Sequence, residues 1–85
     1  MTHAYRVKRL REIETVCYRI CYHMLSCETL AHEAAKLALM KLYDDAAFFA
    51  TEGAEQAAWL RREAVSASII VHEEHGRGNE KAVGA

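Results

Sequence analysis

Apolar residues recur at helical spacing in the first part of the chain. Between Ala4 and Leu25 the intervals alternate between three and four residues, and the stripe consists of Leu10, Ile13, Cys17, Ile20 and Met24. Charged residues such as Arg9, Glu12 and Arg19 fall off this stripe. The pattern predicts an amphipathic helix of about six turns.

The stretch from Ser26 to Tyr43 has two apolar stripes instead of one. The first contains Leu30, Ala34 and Leu37, and the second contains Ala31, Ala35, Ala38, Leu39 and Leu42. Ser26 is predicted to cap the helix, and Glu28 places negative charge at the positive end of the helix dipole. Since a helix that is apolar on two sides needs a neighbour on each, we expect this to be the central helix. The short break before it predicts an antiparallel hairpin with the first helix.

Helical periodicity weakens after Tyr43. Residues 44–53, DDAAFFATEG, predict a connector whose two phenylalanines dock on the hairpin. We expect one of Phe48 and Phe49 to lie in the core and the other at the surface. Thr51 is the best candidate to cap the helix that follows.

A third helix is predicted from Ala54 to His75, with a stripe made of Ala57, Leu60, Ala64, Ala67 and Val71. The segment SASIIV at residues 66–71 consists largely of weak helix formers and could be assigned as a strand. We predict a helix, because a single strand in so short a chain would have no partner. Residues 76–85, GRGNEKAVGA, have two early glycines and little to bury, which predicts a disordered, flexible tail.

The composition fits one small helical domain. The chain has 85 residues, 52% of them hydrophobic and 27% charged, no proline, and a net charge of −1. We therefore predict a single all-α domain over residues 1–75, a three-helix bundle followed by the tail. No apolar run is long enough for a membrane span, and the near-neutral charge gives no general attraction to nucleic acid or membranes. The three cysteines lack the spacing of a secreted disulfide framework, so a cytoplasmic location is expected.

Residue patterns that carry catalysis or metal binding are absent from the sequence. There is no Ser-His-Asp order, phosphate-binding glycine loop or pair of catalytic carboxylates, so we expect no enzyme and no cofactor. The segment HEAAK has Lys36 where a zinc protease motif needs its second histidine. His72 and His75, or the cysteines together with His23, could hold a metal only with further ligands, and surface histidines and buried thiols are the simpler interpretation. The basic residues Arg6, Lys8, Arg9 and Arg11 spread around the first helix and are expected to be solvated and partly ion-paired.

Three ordered motifs resemble region 2 of bacterial RNA polymerase sigma factors of the extracytoplasmic-function type. The family pattern is Y-R-x-A-x-x-L-L, then A-E-D-A-V-Q-E-V-F-L-R-L-W, then a loop and a helix that begins A-W-L. Here the first motif is matched by Tyr18, Arg19, Met24 and Leu25, the second by Ala31, Glu33, Ala34, Leu39, Met40, Lys41, Leu42 and Tyr43, and the third by Ala58, Trp59 and Leu60. The similarity covers about residues 16–74.

The resemblance implies a three-helix fold whose second helix docks on core RNA polymerase. The docking residues it implies are Glu33, Lys36, Leu37 and Met40. Lys36 replaces an amide that is common in the family, which alters the docking face.

The resemblance also implies contact between the third helix and a melted promoter strand, through Phe49, Trp59, Arg61 and Arg62. Trp59 is expected first as a core anchor. The preceding loop carries Glu52 and Glu55 and no basic residue, so DNA binding by this chain is expected to be weak or absent.

Three functions follow as hypotheses. The first is a small protein that binds core RNA polymerase, or another sigma-like subunit, as half of a split sigma factor or as a transcription regulator. The alternative is a helical protein that kept the fold without polymerase or DNA function and that forms a homo-oligomer or binds another protein through apolar surface. The third is a small protein that binds a metal through cysteine and histidine, which metal analysis of the purified chain would test.

Overall fold

The computed structural model describes the backbone of residues 2–84 and the side chains of residues 2–76. Its elements are α1 (His3–Leu25), α2 (Glu28–Tyr43), the short α3 (Ala46–Ala50) and α4 (Gly53–Gly84). The all-α prediction is confirmed for the described residues, since no strand occurs between residues 2 and 84. The segment SASIIV is helical as predicted, and α3 is an additional helix within the predicted connector.

Helix α2 is the central element of the bundle. It packs on α1 along one side and on α4 along another, as its two apolar stripes predict. Its buried residues are Ala31, Ala34, Ala35, Ala38 and Leu42. They meet Ile13, Cys17 and Cys21 of α1 and Leu60, Ala64, Ala67 and Val71 of α4. Because four of the five central positions are alanine, the helices can approach closely on both sides.

The directions of the long helices follow from their connections. Only two residues separate α1 from α2, so these helices run antiparallel. Helix α4 runs in the same direction as α1, because Arg9 contacts Gln56 near the start of both helices and Cys21 contacts Ala64 farther along both.

Two predicted helix caps are wrong. Ser26 ends α1 instead of starting α2: it adopts a left-handed conformation with φ 53°, and its N–H donates to the Tyr22 carbonyl at 2.7 Å. Cys27 takes the N-cap position of α2 without a side-chain hydrogen bond. Thr51 ends α3, because its hydroxyl donates to the Phe48 carbonyl at 2.6 Å. Helix α4 begins two residues later at Gly53, whose φ of 61° suits a residue without Cβ.

Both phenylalanines of α3 lie in the core. Phe48 is fully buried and Phe49 is 4% exposed, and their rings meet edge to face at 5.2 Å. The expectation that one ring would remain at the surface is therefore wrong. The physical reason is that Asp45 caps a short helix, its carboxylate accepting from the Ala47 N–H at 3.0 Å, and this helix turns both rings inward.

The backbone of α4 stays helical to Gly84, beyond His75 where we expected the helix to end. Gly76 interrupts the apolar pattern there, but a glycine within a helix costs only about 1 kcal/mol relative to alanine and does not by itself terminate it. The predicted flexible tail, residues 76–85, lies almost entirely outside the side chains that the structure describes, and it stays a prediction.

Candidate functional site

The residues predicted to dock on a partner lie together on the outer face of α2. Glu33, Lys36 and Met40 are exposed, and Leu37 is half-buried and packs against the core. Met40 is the most exposed large hydrophobic residue of those described, at 59%. Steps of three and four residues keep all four on one side of the helix. We call this set the α2 strip.

A groove of about 670 Å³ runs between α1 and α2, beside the α2 strip. Its floor is apolar and is formed by Val7, Leu10, Ala35 and Leu39. Its rims carry opposite charges, Glu14 on α1 and Lys36 on α2. The groove shares Lys36 and Met40 with the α2 strip, so polar and apolar contacts are available side by side.

Aromatic and histidine rings lie at the two ends of this groove. At one end the rings of Tyr18 and His32 are 4.6 Å apart. At the other end His3 Nδ1 is hydrogen-bonded to the Tyr43 hydroxyl, and the rings meet edge to face at 5.5 Å. These pairs connect α1 to α2 at both ends and leave the apolar floor open between them.

The contact between Tyr18 and His32 sets the register of the antiparallel helices α1 and α2, that is, which of their residues lie opposite each other. One turn away from Tyr18 on α1 is Glu14, and one turn away from His32 on α2 is Lys36, so these two charges stand opposite each other. Neither joins an ion pair within the described part of the chain, where the one salt bridge found links Arg9 to Glu12 at 2.8 Å. Both charged groups are exposed and available to a partner.

Arg6 has a structural role that the sequence did not reveal. Its guanidinium donates to the Tyr43 carbonyl at 2.6 Å and lies 5.1 Å from the centroid of the Phe49 ring. Arg9 likewise donates to the Gln56 side-chain oxygen, in addition to its bond with Glu12. The predicted ion pairing is confirmed by the pair between Arg9 and Glu12. The predicted solvation is wrong for Arg6 and Arg9, because their guanidinium groups also join α1 to the rest of the bundle.

The residues predicted to contact a DNA strand are not brought together on one exposed surface. Phe49 is buried beneath Arg6 and presents no ring for base stacking. Trp59 is half-buried, with its ring edge to face with Phe48 at 6.1 Å, in keeping with the expected core anchor. Arg61 and Arg62 are exposed on α4. Cationic groups are thus available, but most of the aromatic surface is used by the core.

Two of the three cysteines lie in the core between the long helices. The Cys17 thiol faces the Ala35 carbonyl at 3.9 Å and the Cys21 thiol faces the Ala64 carbonyl at 3.7 Å. The hydrogen bond with Cys21 and burial both raise the pKa of Cys17 well above the usual range of a thiol. Cys27 is half-buried at the turn before α2, and none of the three is in a disulfide. The prediction of buried thiols is confirmed for Cys17 and Cys21.

No cluster of three or more histidine, cysteine or acidic side chains with metal-binding geometry occurs among the described residues. His72 and His75 are exposed near the end of the described side chains. What the described surface offers is therefore a charged strip and an apolar groove, both of which suit binding to another macromolecule.

The chain matches no protein-family model, no curated protein and no solved structure. None of the described helices is both long and apolar enough to cross a membrane.

Proposed function

We propose that this chain is a cytoplasmic interaction protein of the transcription machinery that binds core RNA polymerase through the α2 strip. The partner comes from the sequence resemblance described above. The observation that carries the proposal is the exposure of Glu33, Lys36 and Met40 on one face of the central helix. A protein that is one half of a split sigma factor would use the strip in this way, and so would a regulator that occupies the docking surface.

The chemistry of the strip suits a protein partner. Glu33 and Lys36 provide opposite charges that fix orientation, and Met40 provides an apolar side chain that a pocket on the partner can enclose. Methionine is enriched in protein interfaces, and a central apolar anchor commonly contributes most of the binding free energy. Leu37 packs on the core, so it holds the strip in place more than it contacts a partner.

Promoter-strand binding by the chain alone is proposed to be weak. Phe49 is buried, and residues 44–58 carry four acidic residues and no lysine or arginine. Since phosphate neutralisation supplies most of the affinity for nucleic acid, Arg61 and Arg62 alone can give only non-specific binding. We expect a dissociation constant no tighter than about 10⁻⁴ M for a labelled single-stranded promoter fragment, measured by fluorescence anisotropy.

The proposal is tested by biolayer interferometry of the purified chain against immobilised core RNA polymerase. Met40→Glu is expected to weaken binding at least about tenfold, because it places a charge at the apolar anchor. Ile69→Glu is the matched control: Ile69 is 49% exposed on α4, outside the strip, and its change should leave binding unaltered.

A second pair of variants tests the charges. Lys36→Glu should weaken binding, whereas Lys8→Glu makes the same charge change at an exposed position of α1 and should not. Equal effects of Met40→Glu and Ile69→Glu would refute the strip as the docking face. Absence of binding at about 10 μM of monomeric chain would refute the polymerase as partner.

A second candidate function is association with another protein through apolar surface, without polymerase. The open apolar floor of the α1–α2 groove favours it. Measurement of the mass of the purified chain in solution tests this candidate independently of any polymerase.

A further inference from the structure

We propose that two copies of this chain form a symmetric dimer in which the α1–α2 groove of each packs against that of the other. The dimer would bury Lys36 and Met40, which belong to both the groove and the α2 strip. Self-association would then keep the docking face covered until a partner competes for it. The dimer itself does not depend on the identity of that partner.

The apolar floor of the groove is the first observation in favour of a second copy. Val7, Leu10 and Leu39 lie along it, and Met40 stands at its edge with 59% of its surface exposed. Two antiparallel helices that expose such a floor offer half of the core of a four-helix bundle. A second identical pair completes that core, because it brings the same row of apolar side chains to the same levels.

The opposite charges on the two rims select the orientation of the second copy. If the twofold axis runs parallel to the groove, equivalent residues of the two copies lie at the same position along the helix axes. Helix α1 of one copy then lies over α2 of the other. Glu14 of each copy then stands over Lys36 of the second copy, which forms two equivalent ion pairs. If the axis instead runs across the groove at this level, Glu14 meets Glu14 and Lys36 meets Lys36. Charge complementarity therefore favours the axis along the groove.

This orientation is compatible with the helix dipoles, as is the orientation with the axis across the groove, so the dipoles do not decide between them. Each α1 lies antiparallel to the α2 of its own chain and to the α2 of the second copy, so neighbouring helices in the bundle all run in opposite directions. Antiparallel neighbours place opposite dipole ends together, and this arrangement is common in four-helix bundles.

The size of the contact indicates a weak dimer. Helix α2 has 16 residues and is therefore about 24 Å long, and two adjacent helices are about 20 Å wide. The footprint is about 500 Å² per copy, or about 1,000 Å² in total, at the lower limit for a specific interface. We expect a dissociation constant in the micromolar range.

Another exposed apolar position, Ile69 on α4, fits a second copy less well. Its surface patch also contains Arg61 and Arg62, and neither an aspartate nor a glutamate lines it. Two such patches face to face would bring like charges together. This patch therefore supplies the control position for the test.

The test is sedimentation velocity of the purified chain over a range of about 1 to 200 μM, which brackets the expected constant. The wild type should pass from monomer to dimer. E14K and K36E should each weaken the dimer about tenfold, because each replaces two attractive contacts with two repulsive ones. The double variant E14K/K36E exchanges the charges of the two rims and should recover the dissociation constant of the wild-type dimer. Ile69→Glu should leave that constant unchanged.

Several outcomes would overturn the proposal. They are a wild type that stays monomeric throughout the range, a double variant as weak as the single ones, or an Ile69→Glu variant as weak as E14K. Circular dichroism of each variant shows that its fold is retained, as expected for exchanges at exposed positions.

The variant E14K also separates the dimer from polymerase binding, since Glu14 lies outside the α2 strip. If both proposals hold, E14K releases monomer and binds polymerase more tightly than the wild type does. Polymerase binding unaffected by E14K, with a wild type that is monomeric, would refute the dimer alone. A dimer with the expected charge dependence, together with no polymerase binding by the monomeric E14K variant, would refute the partner alone.

Discussion

The guanidinium carbon of Arg6 lies 5.1 Å from the centroid of the Phe49 ring, so a charged side chain near the start of α1 covers a core residue of α3. The same guanidinium donates to the Tyr43 carbonyl at the end of α2. One side chain thus connects three helices. A cation over an aromatic face that also satisfies a helix C-terminus contributes through both contacts.

Replacing Arg6 tests this connection. Arg6→Ala is expected to lower the free energy of unfolding by about 1 to 3 kcal/mol, through loss of the hydrogen bond and of the contact with the ring. Urea denaturation followed by circular dichroism measures the change. Arg11→Ala is the control, since Arg11 is exposed on the same helix and its change should stay within about 0.5 kcal/mol. Equal effects at both positions would show that the Arg6 contacts add nothing.

Gln56 is the buried polar residue that joins α1, α3 and α4. Its side-chain oxygen accepts from Arg9, and its amide donates to the carbonyls of Phe48 at 3.2 Å and Thr51 at 3.0 Å. Gln56→Leu keeps a similar volume but leaves these groups without their partner, so we expect a loss of about 1 to 3 kcal/mol in the same denaturation assay. Glu55→Leu, at the exposed neighbouring position, should cost much less. A similar loss for both would mean that the network does not stabilise the bundle.

The three thiols should differ in reactivity. Cys27 is half-buried, whereas Cys17 and Cys21 are fully buried. In native conditions a thiol reagent monitored by absorbance or mass spectrometry should modify one cysteine, and the other two should react only at the rate of unfolding. Cys27→Ser should abolish the fast reaction. Rapid modification of two or more thiols in the native chain would contradict the packing of α1 against α2 and α4.

The raised pKa of Cys17 predicts a loss of stability in alkali. The ordinary pKa of a thiol here is 9.0, so the unfolded chain releases this proton above about pH 9 while the folded chain retains it. The contribution is complete below that pH and is lost as the pH rises, by about 1.4 kcal/mol per pH unit. The hydrogen bond with Cys17 lowers the pKa of the neighbouring Cys21 to about 6, so Cys21 makes stability rise with pH up to about pH 9. Denaturation measurements in the wild type should therefore show the decline only above about pH 9. Cys17→Ala should show a shallower one, and parallel curves would contradict the prediction.

The long helices could be predicted from the sequence because each has a clear apolar stripe. The two stripes of α2 also predicted its central position. The ends of the helices were harder to predict. Ser26 and Thr51 are of residue types that commonly cap the start of a helix, but here each ends the preceding helix. A hydroxyl residue in a link of two residues can serve either helix, and the backbone conformation that decides between them depends on packing.

The residues of the α2 strip came from the family resemblance. The pattern alone predicted the exposure of Glu33 and Lys36, which lie off the two apolar stripes, whereas Leu37 belongs to one of those stripes. The groove was not predictable, since it depends on how far apart α1 and α2 lie. The opposition of Glu14 and Lys36 requires the register of the hairpin, which Tyr18 and His32 determine through their contact. Phe49 was assigned to the strand-contact set because sequence alone does not show that α3 turns both rings inward.

The two-residue link between α1 and α2 has a consequence for the order of folding during synthesis. The hairpin closes over very few residues, whereas Arg9 and Gln56, which join α1 to α4, are 47 positions apart. Short loops close first, and the N-terminal part of a chain leaves the ribosome first. A nascent chain that has emerged as far as Tyr43 can therefore form the hairpin before α4 exists. At that stage the apolar residues of α1 and α2 that α4 later covers, such as Cys21 and Ala34, are exposed to solvent.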